Sequence, residues 1–254
     1  MLKINRHDII ERELRKNGSV LISDLCQQLD CSTETVRRDL TELEADGKAK
    51  RIYGGAYLPE TFDKGVPIKL RETFFQPEKQ RMADLAMRFI SDGDVIMLDS
   101  SSTCLQLAHT LLDANRQVTI ITNSLSICST FNKYPIASNV IGLGGQLRTK
   151  TSSFVGYQTT DQLKNFTVDK AFISCPSVDI NFGLTDNNME DAMVRRTMLQ
   201  QSRNRYLVVD HTKFTSNSEV LIADLSQVQT IITNREVSPE WKQKCDDLHI
   251  TIYY

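Results

Sequence analysis

The sequence predicts an α/β protein: an N-terminal winged helix-turn-helix followed by a Rossmann-like, mostly parallel α/β domain. Three observations predict it. Three apolar stripes at helical spacing fit before residue 50, and a short basic segment with paired glycines follows them. Beyond residue 77, strand-length apolar runs alternate with helical patterns, which argues for a mostly parallel sheet covered on both faces. Between the two, the chain loses periodicity and carries Pro59, Gly65 and Pro67, the marks of a connector. The expected organisation is a first domain over 1–57, a linker over 58–75 and a second domain over 76–254.

The first helix is expected over 6–16, with Ile9, Ile10 and Leu14 on one stripe and Gly18 as its C′ glycine. The second carries Ile22, Leu25 and Leu29, and its start is poorly marked because Leu21 is a weak N-cap. The third begins at Ser32, a good N-cap, and Val36, Leu40 and Leu43 form its apolar stripe before Gly47 stops it. That stripe turns Thr33, Thr35, Arg37 and Arg38 outward or to its flank. In helix-turn-helix grammar the last helix enters the major groove by its N-terminal end. Arginine suits that position because its fork makes bidentate bonds to guanine or phosphate. Lys48, Lys50, Arg51 and the Gly54–Gly55 turn read as a short β-wing rich in phosphate-binding cations. The same residues also fit a plainer account, in which Arg37-Arg38-Asp39 is a solvated helix face. The net charge of −2 favours neither, so any DNA contact must come from local placement.

In the second domain a helix should start at Pro77, with Met82, Leu85, Ala86 and Phe89 on its apolar face. Strands are expected at 95–98, 118–122, 140–143, 171–174, 206–209, 230–232 and 250–253, and helices at 105–112, 125–131, 157–163 and 189–201. Ligands of such sheets bind at the carboxyl ends of strands. The first such end is Asp99-Ser100-Ser101-Ser102-Thr103, a small-residue loop opening a helix. Its N–H groups, its hydroxyls and the helix dipole could hold a phosphate, or its hydroxyls could simply cap the helix. Other strand ends supply Thr122-Asn123, Gly144-Gly145 and Asp210-His211-Thr212-Lys213. Glycines permit close backbone approach and a lysine supplies a point charge. Four polar strand ends in one sheet make a shared anion site more credible than any single one.

Several function classes are excluded. Neither G-x-x-x-x-G-K-[ST] nor G-x-G-x-x-G occurs, so neither a nucleoside triphosphate nor a dinucleotide site is supported, and no cofactor is expected. No apolar run reaches the ~18 residues of a membrane span, and the first residues lack the apolar core of a signal peptide. The six cysteines are scattered, and Cys26 and Cys31 form the only close pair, so reduced thiols and no metal site are expected. These features fit a cytoplasmic protein.

The stretch GSVLISDLCQQLDCSTETVRRDLTELEADGKAKRIYGGA resembles the N-terminal winged helix of the DeoR family of bacterial sugar-metabolism regulators. That family's motif is S-x-x-T-[VI]-R-R-D-L, then L-x-x-x-G, then a basic wing closing in G-G-A. Ser32, Thr35, Val36, Arg37, Arg38, Asp39, Leu40, Leu43, Gly47, Arg51, Gly54, Gly55 and Ala56 match it. From about Phe74 onward the chain resembles the family's sensor domain, which is related in fold to pentose-phosphate isomerases. D-[SA]-G-[ST]-T matches residues 99–103, except that Ser101 replaces the usual glycine. T-N matches Thr122-Asn123, G-G matches Gly144-Gly145, F-V-G matches Phe154-Val155-Gly156, and D-x-[ST]-K-F matches Asp210, Thr212, Lys213 and Phe214. A late T-D is here Thr233-Asn234.

The resemblance implies an effector-controlled transcription regulator, usually a repressor. DNA would be held by Ser32, Thr33, Thr35, Arg37, Arg38, Lys50 and Arg51. A phosphorylated sugar or related metabolite would be held by Asp99, Ser100, Ser101, Ser102, Thr103, Asn123, Gly144, Gly145, Asp210 and Lys213. A homo-oligomer is expected on a two-fold operator, with the sensor domain carrying the contacts because no coiled-coil heptads occur. The rival from another class is a sugar-phosphate isomerase or deaminase fused to a DNA-binding domain. The related isomerases use a carboxylate-rich segment after a central strand, and the stretch 169–176 has no second carboxylate at its end. Glu190 and Asp191 lie on an expected helix, where charges are solvated by default, and His109 and His211 suggest no triad. A binding module without a regulatory ligand is the third reading.

Overall fold

The computed structural model describes residues 3–52, 54–58, 68–134, 138–215 and 218–254. The chain divides into two compact units, 1–74 and 75–254. Pro59, Gly65 and Pro67, on which the expected connector rests, lie outside the described residues.

The first unit runs α1 (Lys3–Asn17), β1 (Ser19–Leu21), α2 (Ile22–Leu29), α3 (Thr33–Ala45), β2 (Lys50–Ile52), β3 (Gly55–Tyr57) and α4 (Ile68–Arg71). Gly18 ends α1 as expected, at φ +75° with its N–H on the Leu14 carbonyl. Leu21 gives α2 no side-chain cap, and the Ile22 N–H donates instead to the Gly54 carbonyl at 2.8 Å. The wing therefore completes the helix start that the sequence left unmarked. β1 is a strand that pattern reading missed, because three residues carry no period. It joins β3 and β2 in an antiparallel sheet of order β1-β3-β2. A Cβ on Gly55 would lie 2.1 Å from the Val20 carbonyl oxygen, so only glycine lets these strands close. Ile10, Leu14, Leu25, Val36, Leu40 and Leu43 are at most 1% exposed and form the core. In the part of the expected linker that is described, Ile68 and Leu70 of α4 are buried.

Asp39 corrects the solvated-face account of its segment. It is 0% exposed, and Arg6 of α1 holds both its oxygens, Nε to Oδ2 at 2.7 Å and Nη2 to Oδ1 at 2.9 Å. Burial opposes this carboxylate, but the Arg6 bonds outweigh it and leave the pKa below the ordinary carboxylate value.

The second unit opens with α5 (Gln76–Ala86), β4 (Val95–Leu98), α6 (Ser102–Asp113), β5 (Thr119–Thr122), α7 (Leu125–Asn132) and β6 (Asn139–Gly142). It continues through β7 (Gln146–Arg148), β8 (Ser153–Val155), α8 (Tyr157–Leu163), β9 (Val168–Ile173), β10 (Ser177–Asp179), β11 (Gly183–Asp186), α9 (Met189–Gln200) and β12 (Ser202–Val208). It closes with β13 (Val220–Ala223), β14 (Thr230–Ile232), α10 (Pro239–Asp247) and β15 (Thr251–Tyr253). Seven strands form one parallel sheet of order β15-β14-β12-β9-β4-β5-β6. Alternate residues feed two cores, one on each face: Ile96, Leu98, Ile120, Phe172 and Val208 on one, Met97, Ile121, Ala171, Ile173 and Leu207 on the other. That is the period of 2 applied to strands buried on both sides. The β7–β8 hairpin, the small antiparallel sheet β10-β11-β13 and α10 were not legible as apolar runs.

The order of this sheet fixes where a ligand can sit. From β4 the chain moves outward to β5 and β6, then returns to place β9 on the other side of β4 and moves outward again. The order reverses between β4 and β9, and the crevice of such a sheet opens at that reversal, outside the carboxyl ends.

Candidate functional site

In the first unit the Ser32 side chain caps α3, accepting from the Thr35 N–H at 3.3 Å and sharing a hydrogen bond with the Thr35 hydroxyl at 2.9 Å. Thr33 is exposed, and the Cys26 thiol donates to its hydroxyl at 3.8 Å. Arg37, Arg38 and Lys50 are exposed, and none of their side chains has a hydrogen bond or ion pair among the described residues. The other wing cations are committed internally. Arg51 Nη1 donates to the Thr41 hydroxyl and its Nε lies 4.0 Å from Glu44, while Lys48 pairs with Glu11 at 2.7 Å. A cation tied to a carboxylate must break that pair to meet a phosphate, so Arg37, Arg38 and Lys50 are the better-placed groups. The buried Arg6–Asp39 pair fastens α1 to α3 at the residue next to Arg38. Sequence reading missed it, although a carboxylate one residue before Leu40 of the apolar stripe is its signal.

His7, Asp39 and Glu42 also converge, with His7 Nε2 3.4 Å from an oxygen of each carboxylate. Arg6 and Lys3 already neutralise those carboxylates, so the group suits a metal ion poorly.

In the second unit the loop 99–103 lies at the reversal point. Asp99 is 1% exposed, and its carboxylate is an internal post. Oδ1 accepts from the Ser101 N–H and hydroxyl, and Oδ2 accepts from the Ser174 N–H at 3.2 Å and from Arg195 Nε at 2.7 Å. Arg195 also donates to Asp186 and so bridges two buried carboxylates. Burial works against its charge, but Asp186 and Asp99 outweigh burial and raise its pKa. Ser101 is the N-cap of α6 and accepts from the Cys104 N–H at 3.0 Å. The N–H groups of Ser102 and Thr103, the first two of the helix, have no hydrogen-bond partner among the described residues. Ser100, Ser102 and Thr103 add their hydroxyls to the same loop.

Asn123, at the end of β5, is 2% exposed. Its Nδ2 donates to the Phe154 carbonyl at 2.8 Å, while Oδ1 is buried with no partner among the described residues. An orphaned buried acceptor is costly unless a donor arrives. Gly144 and Gly145 are drawn into packing: the Gly144 N–H donates to Gln162 at 3.2 Å, and a Cβ on Gly145 would lie 2.1 Å from the Thr159 hydroxyl. Asp210 caps the 3-10 turn His211–Lys213 by accepting from Thr212. Asn234, where the family motif has an aspartate, accepts from the His211 N–H at 2.8 Å and so holds the same turn. Lys213 is buried in that turn, after β12. β12 lies two strand spacings from β4, roughly 10 Å. Thr233, after β14, keeps a buried hydroxyl without a hydrogen-bond partner among the described residues.

Arg195 and Asp186 were missed from the sequence. Arg195 sits between Ala192 and Met198 on the buried stripe of α9, and a charge within an apolar stripe is the signal that could have found it. Asp191 corrects the solvated reading of its helix. It is 7% exposed and pairs with Arg148 at 2.8 Å.

Comparison with known proteins matches residues 6–62 to the DeoR-like helix-turn-helix domain and residues 75–235 to the DeoR C terminal sensor domain. The HTH-type transcriptional regulator IolR of Bacillus subtilis (strain 168) is 31% identical over 252 residues, covering 99% of each chain. The L-fucose operon activator of Escherichia coli (strain K12) is 34% identical over 235 residues, covering 92% of this chain and 96% of that protein. The glycerol-3-phosphate regulon repressor of the same organism is 28% identical over 252 residues, covering 99% of each chain.

Proposed function

The chain belongs to the DeoR family of helix-turn-helix transcription regulators, and from that premise we propose that it represses a carbohydrate-metabolism operon under the control of a phosphorylated sugar. The relatives' names support a carbohydrate or polyol-phosphate theme. They include both an activator and a repressor, so repression is the part of the reading most open to test. DNA is held by Arg37, Arg38 and Lys50, with Ser32, Thr33 and Thr35 at the helix tip and Arg51 bracing the wing. The chain acts in the cytoplasm as a homo-oligomer that meets two half-sites.

The observation that carries the effector assignment is the pairing of unlike groups at the reversal point. The open N–H groups of Ser102 and Thr103 suit a phosphate, and Lys213 adds a positive charge on the same edge. The orphaned Asn123 Oδ1 is an acceptor, so it suits a hydroxyl donor next to that phosphate. Asp99 at this edge spends both oxygens on Ser101, Ser174 and Arg195, while Asp210 accepts from Thr212 through Oδ1 alone. A general base needs a lone pair turned to its substrate, so Asp99 is unsuited to that role.

A thermal-shift screen of sugar phosphates beside their unphosphorylated parents tests the reading, since a ligand of the folded state raises its apparent stability. Asn123→Leu should then weaken the best phosphorylated ligand by about tenfold, the worth of one hydrogen bond in a buried site. Equal shifts from phosphorylated and unphosphorylated sugars, or turnover of any of them, would count against it.

A further inference from the structure

Seven of the twelve residues of α9 are buried, yet two of the three it leaves exposed are apolar, beside Gln200. Met189 and Met193, one helical turn apart, are 56% and 45% exposed. Arg196 reaches from the same helix to β13, where Nε donates to the Ile222 carbonyl at 2.8 Å and Nη2 to the Leu221 carbonyl at 2.5 Å. Leu221 is 47% exposed. Single exposed apolar side chains are ordinary. Three of them on two adjoining elements form a patch where a surface helix would carry charge.

The charges around the patch say what would cover it. Glu190 stands three residues before Met193 and Arg196 three residues after it. The Glu190 side chain has no partner among the described residues, and Arg196 has no hydrogen bond from Nη1 among them. Two copies of α9 related by a two-fold axis perpendicular to the helix run antiparallel. If the axis passes near Met193, Glu190 of each copy faces Arg196 of the other, and Met193 meets its own counterpart at the centre. A surface that complements itself under a two-fold is what an isologous contact requires.

We propose that the outer stripe of α9, with Leu221 of β13 beside it, is the surface on which a second copy of this chain docks, the two helices packing antiparallel about an axis near Met193. The proposal rests on the reading of the chain as a homo-oligomer and names the face that reading leaves open. A two-fold through the sensor unit also matches the symmetry of paired half-sites on DNA.

Sedimentation velocity of the full chain across micromolar concentrations tests it. Met193 is exposed, so Met193→Glu should fold with an unchanged far-UV circular dichroism spectrum while its self-association weakens at least ~tenfold. Glu190→Arg should weaken association as well, because it sets like charges together twice. In a second measurement, Met193→Cys should give a covalent dimer with a short bis-maleimide, since a residue near the axis meets itself. Lys164→Cys, on an exposed site outside α9, should not. A folded Met193→Glu protein that assembles like the wild type overturns this face and leaves the homo-oligomer standing. That result would also be seen if a different macromolecule covers the patch. A wild-type chain that stays monomeric overturns the homo-oligomer reading itself.

Discussion

Replacing Arg195 by methionine should destabilise the sensor unit strongly, and the reason can be worked from its partners. Arg195 is 7% exposed and bridges Asp99 and Asp186, themselves 1% and 3% exposed. Methionine fills much of the volume and removes the charge. Two buried carboxylates are then left facing each other's neighbourhood with only N–H and hydroxyl donors for company. Asp99 keeps Ser101 and Ser174, and Asp186 keeps Asn187 and Asn188. Stranding one buried charge costs about 3–5 kcal/mol, and the remaining donors keep the total near that range. A unit of this size loses roughly 2–4 °C of melting temperature per kcal/mol, so a fall of roughly 6–20 °C is expected. Calorimetry reads it as a shift of the second unit's transition. Arg195→Lys keeps the charge but not the fork that reaches both carboxylates, so it should fall between methionine and wild type. A methionine variant within about 1 kcal/mol of wild type would refute the argument, because stranded buried charges cannot be that cheap.

The remaining predictions concern the first unit and the loop that opens α6. Alanine at both Arg37 and Arg38 should weaken DNA binding in general and flatten the salt dependence of log K by about one for each phosphate no longer neutralised, read by fluorescence anisotropy at matched salt. Asp39 has a depressed pKa in the folded state, so its stabilisation is fully present above its unfolded value of about 4 and is lost as pH falls through the folded value. Asp39→Asn should therefore lower stability at neutral pH and flatten the acid side of the stability–pH curve, measured by urea midpoints. Ser101→Ala removes the cap of α6 and should cost about 1 kcal/mol, whereas Ser101→Gly should cost only a few tenths, which chemical denaturation can separate.

What the sequence revealed and what it hid divide along a physical line. The seven parallel strands were legible because each reads as a short apolar run, as at Val95–Leu98 and Thr230–Ile232. β11 was not, because its Gly-Leu-Thr-Asp offers one large apolar side chain and its burial comes from tertiary neighbours. Ser32 could be recognised as an N-cap because capping is local, spanning three residues to Thr35. The Arg6–Asp39 pair spans 33 residues and the Arg195–Asp99 pair 96, and no local rule reports on partners so far apart.

The same limit shaped the reading of the site. Composition marked the strand ends as polar and therefore as candidates, but it could not tell a side chain turned toward a ligand from one holding the loop that meets it. Asp99 and Gly145 belong to the second kind, since their surroundings are already filled by Arg195 and Thr159. Asn123 differs, because its Oδ1 is buried with no partner among the described residues. On α9 the distinction falls between consecutive residues. Arg195 turns inward to Asp99 beneath the 99–103 loop, and Arg196 turns outward beside Met193 toward β13. A helix carries its residues as one body, so α9 joins that loop to the outer stripe. Sequence shows two adjacent arginines there, as it does at Arg37-Arg38. Only the partners distinguish a pair whose side chains are unpaired among the described residues from one that ties a loop to a surface.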